Sequence, residues 1–156
     1  MMNPILRRVL RRSGLAAGAM SFGLATLTGC GDTTAPLVTA WRATLTPVLP
    51  YAISGRAAAL TQAGRTRVTI SIEGAEIESS YAWRVERGTC AAPGALVGGV
   101  ASYPPLEPGA GGSAEAEASL AELFQFGDDL IVRVLVDGEG PAVITAACAP
   151  FEETDP

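Results

Sequence analysis

Apolar and polar residues alternate along much of the chain after residue 40, and this alternation predicts a domain built of β-strands. It is strictest in residues 67–73, where Val68, Ile70 and Ile72 fall on one face of the segment and polar side chains on the other. Several short runs of this kind are separated by Gly and Pro. That arrangement is typical of an all-β sandwich or barrel.

The remaining predicted strands are short and lie between turn-forming residues. They are residues 41–46, 52–61, 81–86, 114–120, 130–136 and 142–148. Residues 62–65 and 137–140 have the composition of hairpin turns. Residues 91–112 are rich in Gly and Pro and are predicted to form one long connection.

Residues 114–120 carry two conflicting signals. Their Ala and Glu content favours a helix, whereas their strict alternation favours a strand. We predict a strand because the surrounding segments are β. The acidic residues 151–156 after the last predicted strand are expected to form a frayed tail.

Residues 1–29 have the three-part pattern of a signal peptide. Four arginines precede an uncharged, mostly apolar stretch, residues 14–28, which is too short to span a bilayer comfortably as a helix. The arginines favour the cytoplasmic side while the apolar stretch enters the translocon. The alternative interpretation is a short membrane anchor that is never cleaved.

The sequence Leu-Thr-Gly-Cys at residues 27–30 resembles the lipobox of bacterial lipoproteins. The resemblance implies that Cys30 is acylated and begins the mature chain, with residues 30–39 as a lipidated tether. Membrane lipid is then the partner, since acyl chains provide stable anchoring. In similar lipoproteins an aspartate directly after the cysteine favours the inner membrane, and here that position is Gly31. We therefore expect a lipid-anchored protein of the cell envelope, at the periplasmic face of the outer membrane or at the cell surface.

The charge of the chain after residue 29 limits its partners. Four of the 11 basic residues lie in residues 1–29, so residues 30–156 carry seven arginines, no lysine and all 16 acidic residues, a net charge of −9. Nucleic-acid phosphates require clustered cations, and nucleic acid is therefore excluded as a partner. An envelope protein of unknown identity stays open as a partner.

The three cysteines fall into one candidate acylation site and one candidate disulfide pair. If Cys30 is acylated, Cys90 and Cys148 remain, and an even pair in an exported domain predicts a disulfide. The alternative is a pair of buried free thiols.

Two segments resemble the copper/zinc superoxide dismutase family. Residues 81–86, Tyr-Ala-Trp-Arg-Val-Glu, resemble the His-Gly-Phe-His-Val-His strand of that family, and residues 147–150 resemble its Ala-Cys-Gly segment. Residues 87–94 and 101–106 are similar to stretches of small exported proteins related to that family and to the chordin-like (CHRD) domain. For residues 40–150 the resemblance implies a Greek-key β-sandwich of about seven to eight antiparallel strands, with Cys90 bonded to Cys148.

The same resemblance fails at the metal site. It puts the copper ligands of this strand at Arg84 and Glu86, and the first histidine of the strand at Tyr81. The chain contains no histidine, and arginine cannot coordinate a metal. Copper(II) sites favour imidazole nitrogen, and Ser-His-Asp catalysis needs histidine as well. We therefore expect no metal, no cofactor and no catalytic residue in a binding or structural module; the alternative is a metal-binding or redox protein of this family with a divergent site.

Arg84 and Glu86 lie two residues apart and share one face of the predicted strand. Three interpretations are open for this face. The two side chains pair with each other or with a neighbouring strand, for example through Arg133; they lie on an exposed, solvated surface; or they form a polar patch that binds a partner.

Overall fold

The computed structural model describes residues 39–136 and 143–154, and within them the chain is almost entirely β. There are nine strands in these residues, all pairing antiparallel, together with one turn of 3₁₀ helix at Val100–Ser102. The strands are β1 Thr39–Pro47, β2 Ser54–Gln62, β3 Arg65–Glu73, β4 Ala82–Gly88, β5 Pro93–Leu96, β6 Ala114–Leu120, β7 Leu130–Val136, β8 Ile144–Pro150 and β9 Glu152–Thr154. The predicted all-β class is confirmed, as is the strand at residues 114–120.

Several predicted features lie outside the described residues. They are the signal peptide at 1–29, Cys30, the tether up to residue 38 and the hairpin turn at 137–140. None of the described residues belongs to a helix long and apolar enough to cross a membrane.

The strands form a curled, sandwich-like sheet whose spatial order differs from the order of the chain. The order is β5-β4-β7-β8-β1-β2-β3-β6, with β9 pairing separately with β1. Strands β1, β2, β3, β6 and β9 form what we call the first layer, and β4, β5, β7 and β8 form the second layer. The chain crosses between layers after β3, β5, β6 and β8. The first three crossings are the long Greek-key connections of β-sandwiches.

Strand β1 joins the two layers. Its residues 39–45 pair with β2, whereas Thr46 and Pro47 at its end pair with Cys148 and Ala147 of β8. One strand thus contributes to both layers, and the two layers curl around one core.

The core lies between the inward faces of the two layers. Val68, Ile70 and Ile72 are all buried there, as their alternation predicts. Trp83, on the inward face of β4, is also buried, and its indole Nε1 donates a hydrogen bond to the carbonyl oxygen of Pro104 at 2.7 Å. Trp41 packs edge-on against Phe124, with ring centroids 5.4 Å apart. Both indole rings are therefore structural, since a buried tryptophan stabilises through its large apolar area.

Two predictions about the connections are wrong. Residues 91–112 are not one long connection, because they contain β5, the 3₁₀ turn and Leu106, which pairs with Tyr81 as an isolated bridge. Residues 152–154 are not a frayed tail, because they form β9 against β1. Strands β5 and β9 have four and three residues, too few for an alternating pattern to show in the sequence.

Candidate functional site

The polar residues singled out on β4 lie on the outward face of the second layer. Arg84 is directly opposite Arg133 of β7, and Arg133 is directly opposite Cys148 of β8. Trp83 and Val85 alternate with them and point into the core. The pleat of β4 therefore separates an apolar inward face from a charged outward face.

This outward face is not a solvated surface. Glu86 is 4% exposed and Arg133 is 7% exposed. Buried charges of this kind are retained in proteins when they are paired and hydrogen-bonded. The exposed-surface interpretation of the sequence is therefore wrong for Glu86 and Arg133.

The Glu86 carboxylate lies between two guanidinium groups. Arg133 Nη1 donates a hydrogen bond to Glu86 Oε2 at 2.7 Å. Arg84 Nε lies 2.6 Å from Glu86 Oε1. That second contact has the distance of an ion pair, but Arg84 Nε makes no hydrogen bond among the described residues, because its N–H does not point at an acceptor. Both carboxylate oxygens are nonetheless held by a cation.

Arg133 extends the cluster to the neighbouring strand. Its Nε donates to Thr145 Oγ1 at 3.1 Å, and its Nη2 also contacts Thr145 Oγ1. We call Arg84, Glu86, Arg133 and Thr145 the Glu86 cluster. It links β4, β7 and β8 through side chains as well as through the backbone. The pairing interpretation, including the partner Arg133, is the one that the structure supports.

The Glu86 cluster is poorly suited to hold a metal ion. It contains one carboxylate against two guanidinium groups, and a cation would have to displace at least one of these from Glu86. The two arginines would also repel an incoming cation. Across residues 39–136 and 143–154 there is no group of three or more His, Cys, Asp or Glu side chains arranged to bind a metal.

Tyr81 is not part of this cluster. It precedes β4 on the inward face, is 4% exposed, and its hydroxyl accepts a hydrogen bond from the backbone N–H of Glu76 at 3.1 Å. The resemblance puts three histidine positions of the family at Tyr81, Arg84 and Glu86. The structure brings Arg84 and Glu86 together and places Tyr81 on the opposite face of the strand.

A disulfide lies beside the cluster. Cys90, in the loop after β4, is bonded to Cys148 of β8, with their Cα atoms 6.0 Å apart. Cys148 is buried next to Arg133, whereas Cys90 is exposed. The predicted pairing is the one found in the structure, and it ties the β4–β5 loop to the second layer.

Tyr103 supports the opposite side of β4. Its ring packs edge-on against Trp83 with centroids 5.0 Å apart, and its hydroxyl donates to the carbonyl oxygen of Val97 at 2.5 Å. Burial raises the pKa of Tyr103 to about 12, and the nearby carboxylates of Glu122 and Glu86 act in the same direction. This phenol is a structural hydrogen-bond donor at neutral pH.

Two features of the outer surfaces were missed by sequence reasoning. One is Thr145, whose place beside Arg133 depends on the pairing of β7 with β8. The other is a charged groove on the outer face of the first layer, which includes Arg42 and Arg56. The only sequence signal for this groove is the small size of outward side chains on β2 and β3, namely Ala58, Thr69 and Ser71.

A scan against protein-family models finds no match to this chain, and a search of curated proteins finds none either. The lipoprotein and superoxide dismutase-like resemblances therefore stay predictions that rest on the residues themselves.

Proposed function

We propose that this protein is an exported lipoprotein, anchored to a membrane of the cell envelope through acylated Cys30. Its superoxide dismutase-like β-sandwich is metal-free and non-catalytic, and serves as a binding or structural module. The observation that carries the proposal is the closed Glu86 cluster. Of the two positions where the resemblance puts copper ligands, one is the cation Arg84, and the other, Glu86, is paired with Arg84 and Arg133.

Electrostatics supports a structural role for these residues. A catalytic metal site must leave a coordination position open for substrate. In the Glu86 cluster both carboxylate oxygens already contact guanidinium groups, and Arg133 is also held by Thr145. Arg133, which would have to move, is buried on β7 between β4 and β8. This arrangement favours a structural role, in which the side chains hold the strands together, over a catalytic one.

The all-β architecture and the Cys90–Cys148 bond agree with what the resemblance implies. A disulfide also suits an exported protein, because oxidising compartments maintain such bonds. The disulfide supports export, and neither observation identifies the partner.

Metal analysis of the purified full-length chain tests the non-catalytic half of the proposal. After incubation with Cu(II) or Zn(II) and dialysis, we expect far less than one metal ion per chain, both for the wild type and for Glu86→Gln. Near-stoichiometric metal in the wild type that Glu86→Gln loses would overturn this half.

Metabolic labelling with a fatty-acid analogue tests the anchoring half. The wild-type chain and the control Cys90→Ala should both carry the label, whereas Cys30→Ala should carry none. Undiminished labelling of Cys30→Ala would contradict acylation at this residue. Fractionation of the same cells would locate the protein, and Gly31→Asp should shift it toward the inner membrane.

A further inference from the structure

A groove runs across the outer face of the first layer, away from the Glu86 cluster. Its volume is about 910 Å³, within the range of small-molecule sites. Its floor consists of small side chains on the two central strands, Ala58 of β2 with Thr69 and Ser71 of β3. Solvent-facing positions of a sheet usually carry long polar side chains, and their replacement by small ones leaves the face concave.

One bank of the groove is cationic. Arg42 of β1 is directly opposite Ala58, and Arg56 is directly opposite Thr44, so the two arginines are diagonal neighbours on adjacent strands. Diagonal neighbours lie about 7–8 Å apart between Cα atoms, within reach of each other's long side chains. Neither arginine forms an ion pair with any residue that the structure describes. Arg42 also lies directly opposite Glu152 of β9, and Arg56 is diagonal to Glu73 of β3, but neither arginine is within ion-pair distance of these carboxylates. The two adjacent guanidinium groups are therefore available to an anion between them.

The other bank is anionic. Glu115 of β6 is directly opposite Ser71, and Ser71 is directly opposite Arg56, so the three residues form one row across the sheet. Two strand spacings separate Arg56 from Glu115, about 10 Å in all. The neighbouring Glu117 lies 3.4 Å from Arg67. Glu115 makes no ion pair within residues 39–136 and 143–154, and its carboxylate is open to a cation.

We infer that this groove binds a short peptide in extended conformation, with its terminal carboxylate at Arg42 and Arg56 and its terminal ammonium at Glu115. An extended chain spans about 3.3–3.6 Å per residue, so three residues match the separation of about 10 Å between the backbone positions of Arg56 and Glu115. The hydroxyls of Thr69 and Ser71 lie between the banks and provide donors and acceptors for peptide groups. The inference rests on the binding role proposed above and names its ligand class.

The groove is open to solvent, and its contacts are therefore individually weak. Losing one charge-assisted contact is expected to reduce affinity by about fivefold to tenfold, and binding should weaken with added salt. The peptide would be held by complementary charges at two ends more than by apolar burial.

The test is a titration of the full-length, detergent-solubilised chain with trialanine, followed by ¹⁵N–¹H NMR. We expect saturable shifts of the Ala58 and Thr69 amide signals. Trialanine amide, which lacks the carboxylate, should bind about fivefold to tenfold more weakly, and N-acetyl-trialanine, which lacks the ammonium, should lose a similar factor.

Matched variants assign each end of the peptide. Arg56→Gln should weaken trialanine but make little further difference to its amide, and Glu115→Gln should behave in the same way toward the acetylated peptide. Arg65→Gln and Glu107→Gln, which alter exposed charges away from the groove, should bind trialanine as the wild type does.

Three results would overturn the inference. They are the absence of saturable shifts, equal binding of all three peptides, and binding of inorganic phosphate as tight as that of trialanine. Metal retention or failed acylation would refute the proposed function but would not change the measured peptide affinities. Failure of the proposed function and failure of the peptide inference are therefore distinguishable.

Discussion

At the scale of single residues, Glu86 is the one buried carboxylate in residues 39–136 and 143–154. A carboxylate that is 4% exposed is held from one side by a buried arginine and from the other by a partly exposed one. Removing charges from water is costly, and pairing offsets this cost only while the pair is intact. Glu86 therefore stabilises the second layer only while it is paired with Arg84 and Arg133.

A double-mutant cycle measures this dependence. Glu86→Leu alone leaves the buried Arg133 without its carboxylate and should lower the free energy of unfolding by about 3–5 kcal/mol. Arg133→Met alone leaves Glu86 paired only with the partly exposed Arg84 and should cause a smaller loss. The double variant should recover much of that loss, because it removes both charges together. Urea denaturation at neutral pH provides the measurement.

The exposed pair Arg67–Glu117 provides the matched control for this cycle. Its side chains are more than half exposed, and breaking it should cost less than about 1 kcal/mol. Additive losses in the Glu86–Arg133 double variant would contradict the argument.

Ionisation of the Tyr103 phenol should lower the stability of the folded protein at alkaline pH. The pKa of its phenol is raised to about 12 by burial, above the value near 10 of an unfolded chain. The folded state thus holds this proton more tightly, so its contribution is fully present below about pH 10 and is lost as the pH rises toward 12. The melting temperature of the wild type should fall more steeply between pH 10 and pH 12 than that of Tyr103→Phe. Parallel melting curves of the two proteins over this interval, followed by circular dichroism, would refute the assignment.

At the scale of elements, the β2–β3 hairpin is the best-defined local unit. Gln62 and Arg65 pair with each other, and the two residues between them, Ala63 and Gly64, both have positive φ, 51° and 78°. This is the geometry of a type I′ turn, which matches the twist of the strands and favours Asn-Gly. Alanine at the first position is strained, since its Cβ disfavours the left-handed region.

Substitutions in this turn should move stability in opposite directions. Ala63→Asn should raise the free energy of unfolding by about 0.5–1 kcal/mol by relieving strain. Gly64→Ala should lower it by about 1 kcal/mol; a Cβ there would meet nothing within 4 Å, so the loss would come from the backbone alone. Urea denaturation of both variants measures the two changes, and a loss of stability in Ala63→Asn would show that the turn is not strained.

Strand prediction from the sequence succeeded where a strand has one buried face and is long enough to show it. Val68, Ile70 and Ile72 reveal their strand because each alternate position is core. The short strands β5 and β9 show no such pattern. Strand β9 forms because Phe151, just before it, packs against Phe124 with centroids 5.7 Å apart and donates its backbone N–H to the carbonyl oxygen of Leu130. That anchoring is tertiary and leaves no trace in the three residues that follow it.

The candidate site was predictable to a similar extent. Alternation places Arg84 and Glu86 on one face, and it offers Arg133 as a partner. Whether the three side chains close on each other depends on the register of β4 against β7, which pairs Arg84 with Arg133. That register cannot be read from the sequence, because Arg84 and Arg133 lie far apart in the chain. The groove depends in the same way on the alignment of four strands, since Arg56 and Glu115 meet in one row only after β2, β3 and β6 have paired.

At the scale of the whole molecule, the few arginines are distributed unevenly. Residues 30–156 carry seven arginines against 16 acidic residues. Four of the seven form ion pairs in the described part of the chain; of the other three, two line the groove. In an acidic domain most arginines find a carboxylate. Arg42 and Arg56 form no ion pair among the described residues and are available to an anionic ligand, whereas the two arginines of the Glu86 cluster are already paired.

The disulfide constrains the molecule at the largest scale. It joins residues 58 positions apart and so limits the unfolded chain more than any local contact. Chain-entropy estimates for a loop of this length give about 4 kcal/mol, so Cys90→Ala/Cys148→Ala should unfold at much lower urea concentration than the oxidised wild type.

Dithiothreitol should lower the stability of the wild type to a similar degree and leave the double variant unchanged, which separates loss of the bond from loss of the side chains. Cys30→Ala serves as a second control and should respond to dithiothreitol as the wild type does. Stability of the wild type that does not change when non-reducing mass mapping shows the bond fully reduced would mean that packing of the buried Cys148, and not the covalent link, holds the β4–β5 loop against the second layer.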